Sequence, residues 1–102
     1  SNAWIVDAAG VLTTRSLSPA ILPGITREAV LALARERQLP IAERPFTLAE
    51  AFAAREAFMT SAGAFVMPVV RIDGQPVGGG APGPVATALR ADYIRSHLRQ
   101  ES

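Results

Sequence analysis

Residues 21–37 read Ile-Leu-Pro-Gly-Ile-Thr-Arg-Glu-Ala-Val-Leu-Ala-Leu-Ala-Arg-Glu-Arg. Within them Ile25, Ala29, Val30, Leu33 and Ala34 recur at spacings of three and four, the apolar stripe of an amphipathic helix over residues 25–37, and Pro40 limits it downstream. The Pro23-Gly24 turn leads straight into that helix. The first N–H groups of a helix have no intrahelical acceptor and sit at the positive end of its dipole, so here they can receive a phosphate, with the Thr26 hydroxyl assisting. Taken alone, the segment reads first as an ordinary helix start capped by Gly24 or Thr26.

Upstream, Trp4-Ile5-Val6-Asp7 and Val11-Leu12-Thr13-Thr14 are β-prone runs separated by Ala8-Ala9-Gly10, which predicts a hairpin. Residues 15–24, with Pro19 and Pro23, read as a loop. Downstream, residues 41–46 form a short extended run. Thr47-Leu48-Ala49-Glu50 then has the pattern of a capping box opening a second helix that reaches about residue 54. Residues 57–60 and 65–72 are strands split by Ser61-Ala62-Gly63-Ala64, Asp73-Gly74 is a tight turn before Gln75-Pro76-Val77, and Pro68 asks for an edge or bulge position. Gly78-Gly79-Gly80 lacks the lysine and the strand–helix context of a phosphate loop and reads as a flexible connection. Val85, Leu89, Tyr93, Ile94 and Leu98 mark a terminal helix. The class is α/β, a mixed sheet with flanking helices, or α+β if the strands pair mainly antiparallel.

With 102 residues and 49% hydrophobic content the chain suits one compact domain. Ten basic residues balance nine carboxylates, and no stretch joins basic residues to aromatics, so nucleic acid is not an expected partner. There is no cysteine and His97 is the only histidine, so no metal site is expected. No apolar run approaches the roughly 20 residues of a membrane span, and a cytoplasmic protein is expected. All ten basic residues are arginine, which excludes from this chain any step that needs a lysine amine. No serine or cysteine triad is visible, and no catalytic residue is assigned. Glu28, Glu36 and Glu56 are expected on solvated faces, and His97 in solvent. Thr60-Ser61-Ala62-Gly63 reads as a polar turn or as a nest of N–H groups for an anion. Ser1-Asn2-Ala3 has the look of a purification-tag remnant, which leaves residues 4–102 as the domain.

The ordered set Trp4-Ile-Val-Asp, Gly10-Val-Leu-Thr-Thr, Ile21-Leu-Pro-Gly-Ile-Thr-Arg27, Arg44-Pro-Phe46, Phe58-Met-Thr-Ser61 and Pro68-Val-Val-Arg-Ile-Asp-Gly74 resembles the C-terminal domain of class IV, pyridoxal-phosphate-dependent aminotransferases. Within the class it is most similar to D-amino-acid aminotransferases, with branched-chain aminotransferases and aminodeoxychorismate lyases as relatives. The resemblance implies a cup for the phosphate of pyridoxal 5′-phosphate. Its donors would be the N–H groups of Ile25 and Thr26, the Thr26 hydroxyl, and the Ser61-Ala62 turn from the opposite side. It places Leu22 against a face of the cofactor ring. Ala62 departs from the pattern, since many relatives have threonine there, and one side-chain hydrogen bond is expected to be missing. The family's cofactor-bearing lysine and the acid that pairs with the pyridine nitrogen precede the matching segment. The expectation is therefore a chain without its N-terminal domain and inactive alone, drawn from a homo-oligomeric enzyme that exchanges amino groups between amino acids and 2-oxo acids. Ser1-Asn2 also fits the family's own sequence, so the tag and native readings both stand. Two alternatives stay open: part of an aminodeoxychorismate lyase, or a non-catalytic domain binding a phosphate ester.

Overall fold

The computed structural model describes residues 1–16 and 24–98. Strand β1, Asn2–Val6, runs antiparallel to β2, Leu12–Ser16. The turn between them is closed by the Asp7 carboxylate, which accepts from the N–H groups of Ala9 and Val11, and by Gly10 at φ 84°, a conformation glycine adopts without steric cost. On its other side β1 pairs antiparallel with β4, Glu56–Ser61, placing Asn2 opposite Thr60 and Trp4 opposite Phe58. Strand β3, Ile41–Glu43, lies parallel to β2, and β5, Phe65–Val69, antiparallel to β4. The order β3-β2-β1-β4-β5 makes a mixed sheet, as the strand and helix alternation predicts. Pro68 falls on the edge strand β5, where a missing N–H is tolerated.

Helix α1, Ile25–Glu36, and helix α3, Pro84–Tyr93, cover one face of the sheet. There Val30, Leu31 and Ala34 of α1 and Ala86, Leu89 and Tyr93 of α3 pack with Trp4, Val6, Leu12, Phe58 and Val66. Trp4 and Phe58 stack with ring centroids 5.3 Å apart. Each of the larger buried apolar side chains contributes about 1.5–3 kcal/mol relative to exposure, and each alanine less. Because successive strand residues point to opposite faces, Ile5 turns away from this core and joins Ala51, Ala54, Ala57 and Val77 in a second one. Helix α2, Leu48–Ala53, belongs to that second layer and opens with the expected capping box of Thr47 and Glu50. Its buried residue Ala51 contributes to that core.

Four details differ from the sequence expectations. The run over residues 65–72 breaks at Val70: β6, Arg71–Ile72, and β7, Gln75–Pro76, form a separate two-stranded hairpin around Asp73 and Gly74, both at positive φ. The extended run at residues 41–46 is strand only as far as Glu43. Gly78 is no slack linker, because at φ 56° a Cβ there would overlap the Arg55 carbonyl. Glu56 is buried rather than solvated; its two carboxylate oxygens accept from the N–H groups of Val85 and Ala86 at 3.0 and 2.8 Å. That carboxylate supplies the cap that Gly83, which has no side chain, cannot give to α3. Glu28, Glu36 and His97 are exposed as expected, with His97 stacked on Tyr93 at 4.5 Å.

Candidate functional site

One end of the sheet carries a cavity of about 290 Å³. The start of α1 forms one wall through Gly24, Ile25, Thr26 and Arg27, and the end of β4 forms the other through Thr60, Ser61 and Ala62. Ser1 and Asn2, at the head of β1, complete it. The two segments singled out as separate anion candidates in the sequence are therefore brought together. Of the expected site residues, Ile25, Thr26, Ser61 and Ala62 all line this cavity. Leu22 lies outside the described residues.

The geometry of the α1 wall follows from its cap. Gly24 is the N-cap in an extended conformation, φ −73° and ψ 126°, and its carbonyl accepts from Glu28 N–H at 3.0 Å. The N–H groups of Ile25, Thr26 and Arg27 precede that first bond and have no intrahelical acceptor. Thr26 is buried with its hydroxyl unbonded to any described residue, whereas Ile25 is 85% exposed at the rim. On the facing wall the Ser61 Oγ accepts from Ala64 N–H at 3.1 Å, which closes the turn and leaves the Ser61 hydroxyl hydrogen free to donate. Ala62 offers only its backbone.

Electrostatically the walls present dipoles. Arg27 on the α1 wall pairs its terminal guanidinium nitrogens with Glu28 at 3.1 Å and Glu43 at 3.0 Å, while its buried Nε has no partner among the described residues. Among the described residues no group of three or more His, Asp or Glu side chains could hold a metal ion. No helix among them is long and apolar enough to cross a membrane.

Ser1 and Asn2 were not singled out from the sequence, and Thr60 entered only as the first residue of the second anion candidate. Asn2 was set aside with the tag-like start, yet it is a strand residue and only 6% exposed. Thr60, read both as the end of the strand over residues 57–60 and as the start of the turn or nest that follows, is the second-last residue of β4 and fully buried, and its Oγ accepts the Trp4 indole N–H at 2.9 Å. The available signal was period two: Asn2 shares a strand face with Trp4, as Thr60 does with Phe58.

Known proteins share both the sequence and the shape. Residues 1–72 match the family described as amino-transferase class IV. The chain belongs to the class IV aminotransferases. Class IV relatives include the D-alanine aminotransferase of Bacillus licheniformis, 44% identical over 98 residues that cover 92% of this chain and 34% of that protein. A probable branched-chain-amino-acid aminotransferase of Thermotoga maritima is 40% identical over 93 residues, 91% of this chain and 34% of its own. Among solved class IV structures, the T.th. branched-chain amino acid aminotransferase with pyridoxamine 5′-phosphate superposes with a TM-score of 0.85 at 36% identity, over 92% of this chain and 31% of that one. The chain thus spans about a third of the length of the class IV relatives it matches.

Proposed function

We propose that the cavity between α1 and the end of β4 is the phosphate seat of pyridoxal 5′-phosphate, and that this chain is the phosphate-holding part of an aminotransferase. The observation that carries this reading is the convergence of two anion-competent turns, 35 residues apart between Thr26 and Ser61, on one cavity. The residues present fit such a group: free helix N–H donors at Ile25 and Thr26, a buried hydroxyl at Thr26 and a hydroxyl donor at Ser61 face the same space. The backbone of Ala62 adds a donor from the β4 side.

When bound, the cofactor supplies an electron sink that lets a proton leave the α-carbon of an amino acid. This chain's residues bind and orient the phosphate end. They hold no lysine amine, so the covalent anchor and the proton shuttle come from residues outside these 102, and the chain alone is inactive. The activity it serves is amino-group transfer between amino acids and 2-oxo acids of the D-amino-acid or branched-chain type, the types named among its relatives. The chain also self-associates in this reading, as the family resemblance implies.

A titration of pyridoxal 5′-phosphate, followed by the amide resonances of Ile25, Thr26 and Ala62, tests the seat. Those resonances should move together, inorganic phosphate should compete, and pyridoxal without the phosphate should bind at least roughly tenfold more weakly. Equal binding of pyridoxal, or shifts confined to other parts of the chain, would refute the proposal.

A further inference from the structure

Along one face of the central strands the side chains change from aromatic to polar at the point where the cavity opens. Trp4 and Phe58 stand side by side in the core, and the next residues on that face, Asn2 and Thr60, are direct partners across β1 and β4. Both are more than nine-tenths buried and both line the cavity. A buried strand face ordinarily takes apolar residues, because a buried polar group without a partner loses its hydration with nothing in return.

We infer that the cross-strand pair Asn2–Thr60 is the floor of the anion seat, with the Asn2 carboxamide N–H₂ and the Thr60 hydroxyl hydrogen both donating to an oxyanion such as phosphate. The inference rests on the phosphate-seat reading and extends it by two side chains. Asn2 Nδ2 lies 3.3 Å from the point a Cβ on Gly24 would occupy, beside the first turn of α1 whose N–H groups have no intrahelical acceptor. No described residue hydrogen-bonds the Asn2 carboxamide. The direction of the Thr60 hydroxyl is set by its neighbour. An indole N–H can only donate, so the Thr60 oxygen must accept from Trp4 and its own hydrogen points away from the indole, leaving it available to the cavity. Trp4 is a positioning residue here: it orients the hydroxyl and does not itself line the cavity.

An oxyanion is the ligand class that matches this donor set. Its oxygens are acceptors, and a carboxamide facing it is selected in the orientation that presents nitrogen. An isosteric carboxylate at residue 2 would present only acceptors and a negative charge.

Inorganic phosphate is titrated into the full chain, wild type and the variants Asn2→Asp, Asn2→Ala, Thr60→Val and Thr26→Val, with the Ile25 and Thr26 amide shifts as the readout. Thermal melts confirm that each variant is folded. Asn2→Ala and Thr60→Val should each weaken phosphate roughly tenfold, and Asn2→Asp by more than either. Should Asn2→Asp not fold, Asn2→Ala and Thr60→Val carry the test. Binding within about twofold of wild type in the folded floor variants, with Thr26→Val still weakened, would overturn the floor while leaving the seat. A wild type whose Ile25 and Thr26 amides do not respond to phosphate would overturn both.

Discussion

Glu56 and Gly83 should behave as one structural unit. The Glu56 carboxylate sits over the first turn of α3, accepting from Val85 N–H at 3.0 Å and Ala86 N–H at 2.8 Å. Gly83 is the N-cap of that helix, and a Cβ built on it would overlap Cγ and Cδ of Glu56. Hydrogen bonds to a charged group contribute about 1.5–3 kcal/mol each. Glu56→Ala removes two, which would come to about 3–6 kcal/mol, but it also relieves the desolvation of a buried carboxylate, leaving a net loss of about 2–4 kcal/mol. Gly83→Ala must expel the same carboxylate and so should cost about the same 2–4 kcal/mol. Independent effects would sum to about 4–8 kcal/mol in the double variant. The overlap instead predicts a double variant near either single one, since once residue 56 is alanine the space for a Cβ at residue 83 is already vacant. Urea unfolding of the four proteins gives the cycle directly, provided the slopes agree. A double variant that loses the full sum, or a Gly83→Ala protein within about 0.5 kcal/mol of wild type, would show that the carboxylate does not occupy the space above Gly83.

Three further outcomes are expected. Asp92 is buried on α3 and binds Arg37 through both carboxylate oxygens, with Arg95 as a second partner. The hydrogen bond from Arg37 holds its carboxyl below the usual range, against the opposing effect of burial and with help from Arg95. A depressed folded pKa contributes stability that is complete above the unfolded value near 4 and is lost as pH falls through the folded value. The gap in urea midpoint between wild type and Asp92→Asn should therefore be present at about pH 6 and close below about pH 4, and a gap unchanged at about pH 3 would contradict this. Gly78→Ala should lose at least about 2 kcal/mol, because positive φ and the Arg55 carbonyl both oppose it, while Gly79→Ala, whose Cβ meets nothing, should stay within about 0.5 kcal/mol of wild type in the same assay. Self-association should appear in sedimentation velocity, with Ile25, Leu48, Met67 and Leu98 exposed in the single chain. A sharp monomer that binds no hydrophobic dye would count against it.

What the sequence made legible was local. The Thr47 and Glu50 capping box, the Gly10 turn and the edge placement of Pro68 each follow from residues within a few positions of the feature. The α1 stripe likewise announces its own buried face. Glu56 was misread for the opposite reason: the donors it satisfies lie 29 and 30 residues away, on an element whose position depends on the fold. The break at Val70 is also tertiary, because its carbonyl is taken by the N–H of Val77 in the small hairpin rather than by β4. For the site, both walls could be read from small and hydroxyl residues beside turns. The pairing of Asn2 with Thr60 could not, since it joins strands separated in the chain by α1 and α2.

That pairing makes the cavity a product of strand register. Sliding β4 by one residue against β1 would bring Met59 or Ser61 opposite Asn2 and turn Phe58 from the main core toward the other face. A thioether cannot replace the Thr60 hydroxyl, and the Trp4 indole would lose its acceptor at the same stroke. The indole–hydroxyl bond therefore acts as an alignment mark, formed only when the sheet is in step and the two walls of the cavity stand at the same height.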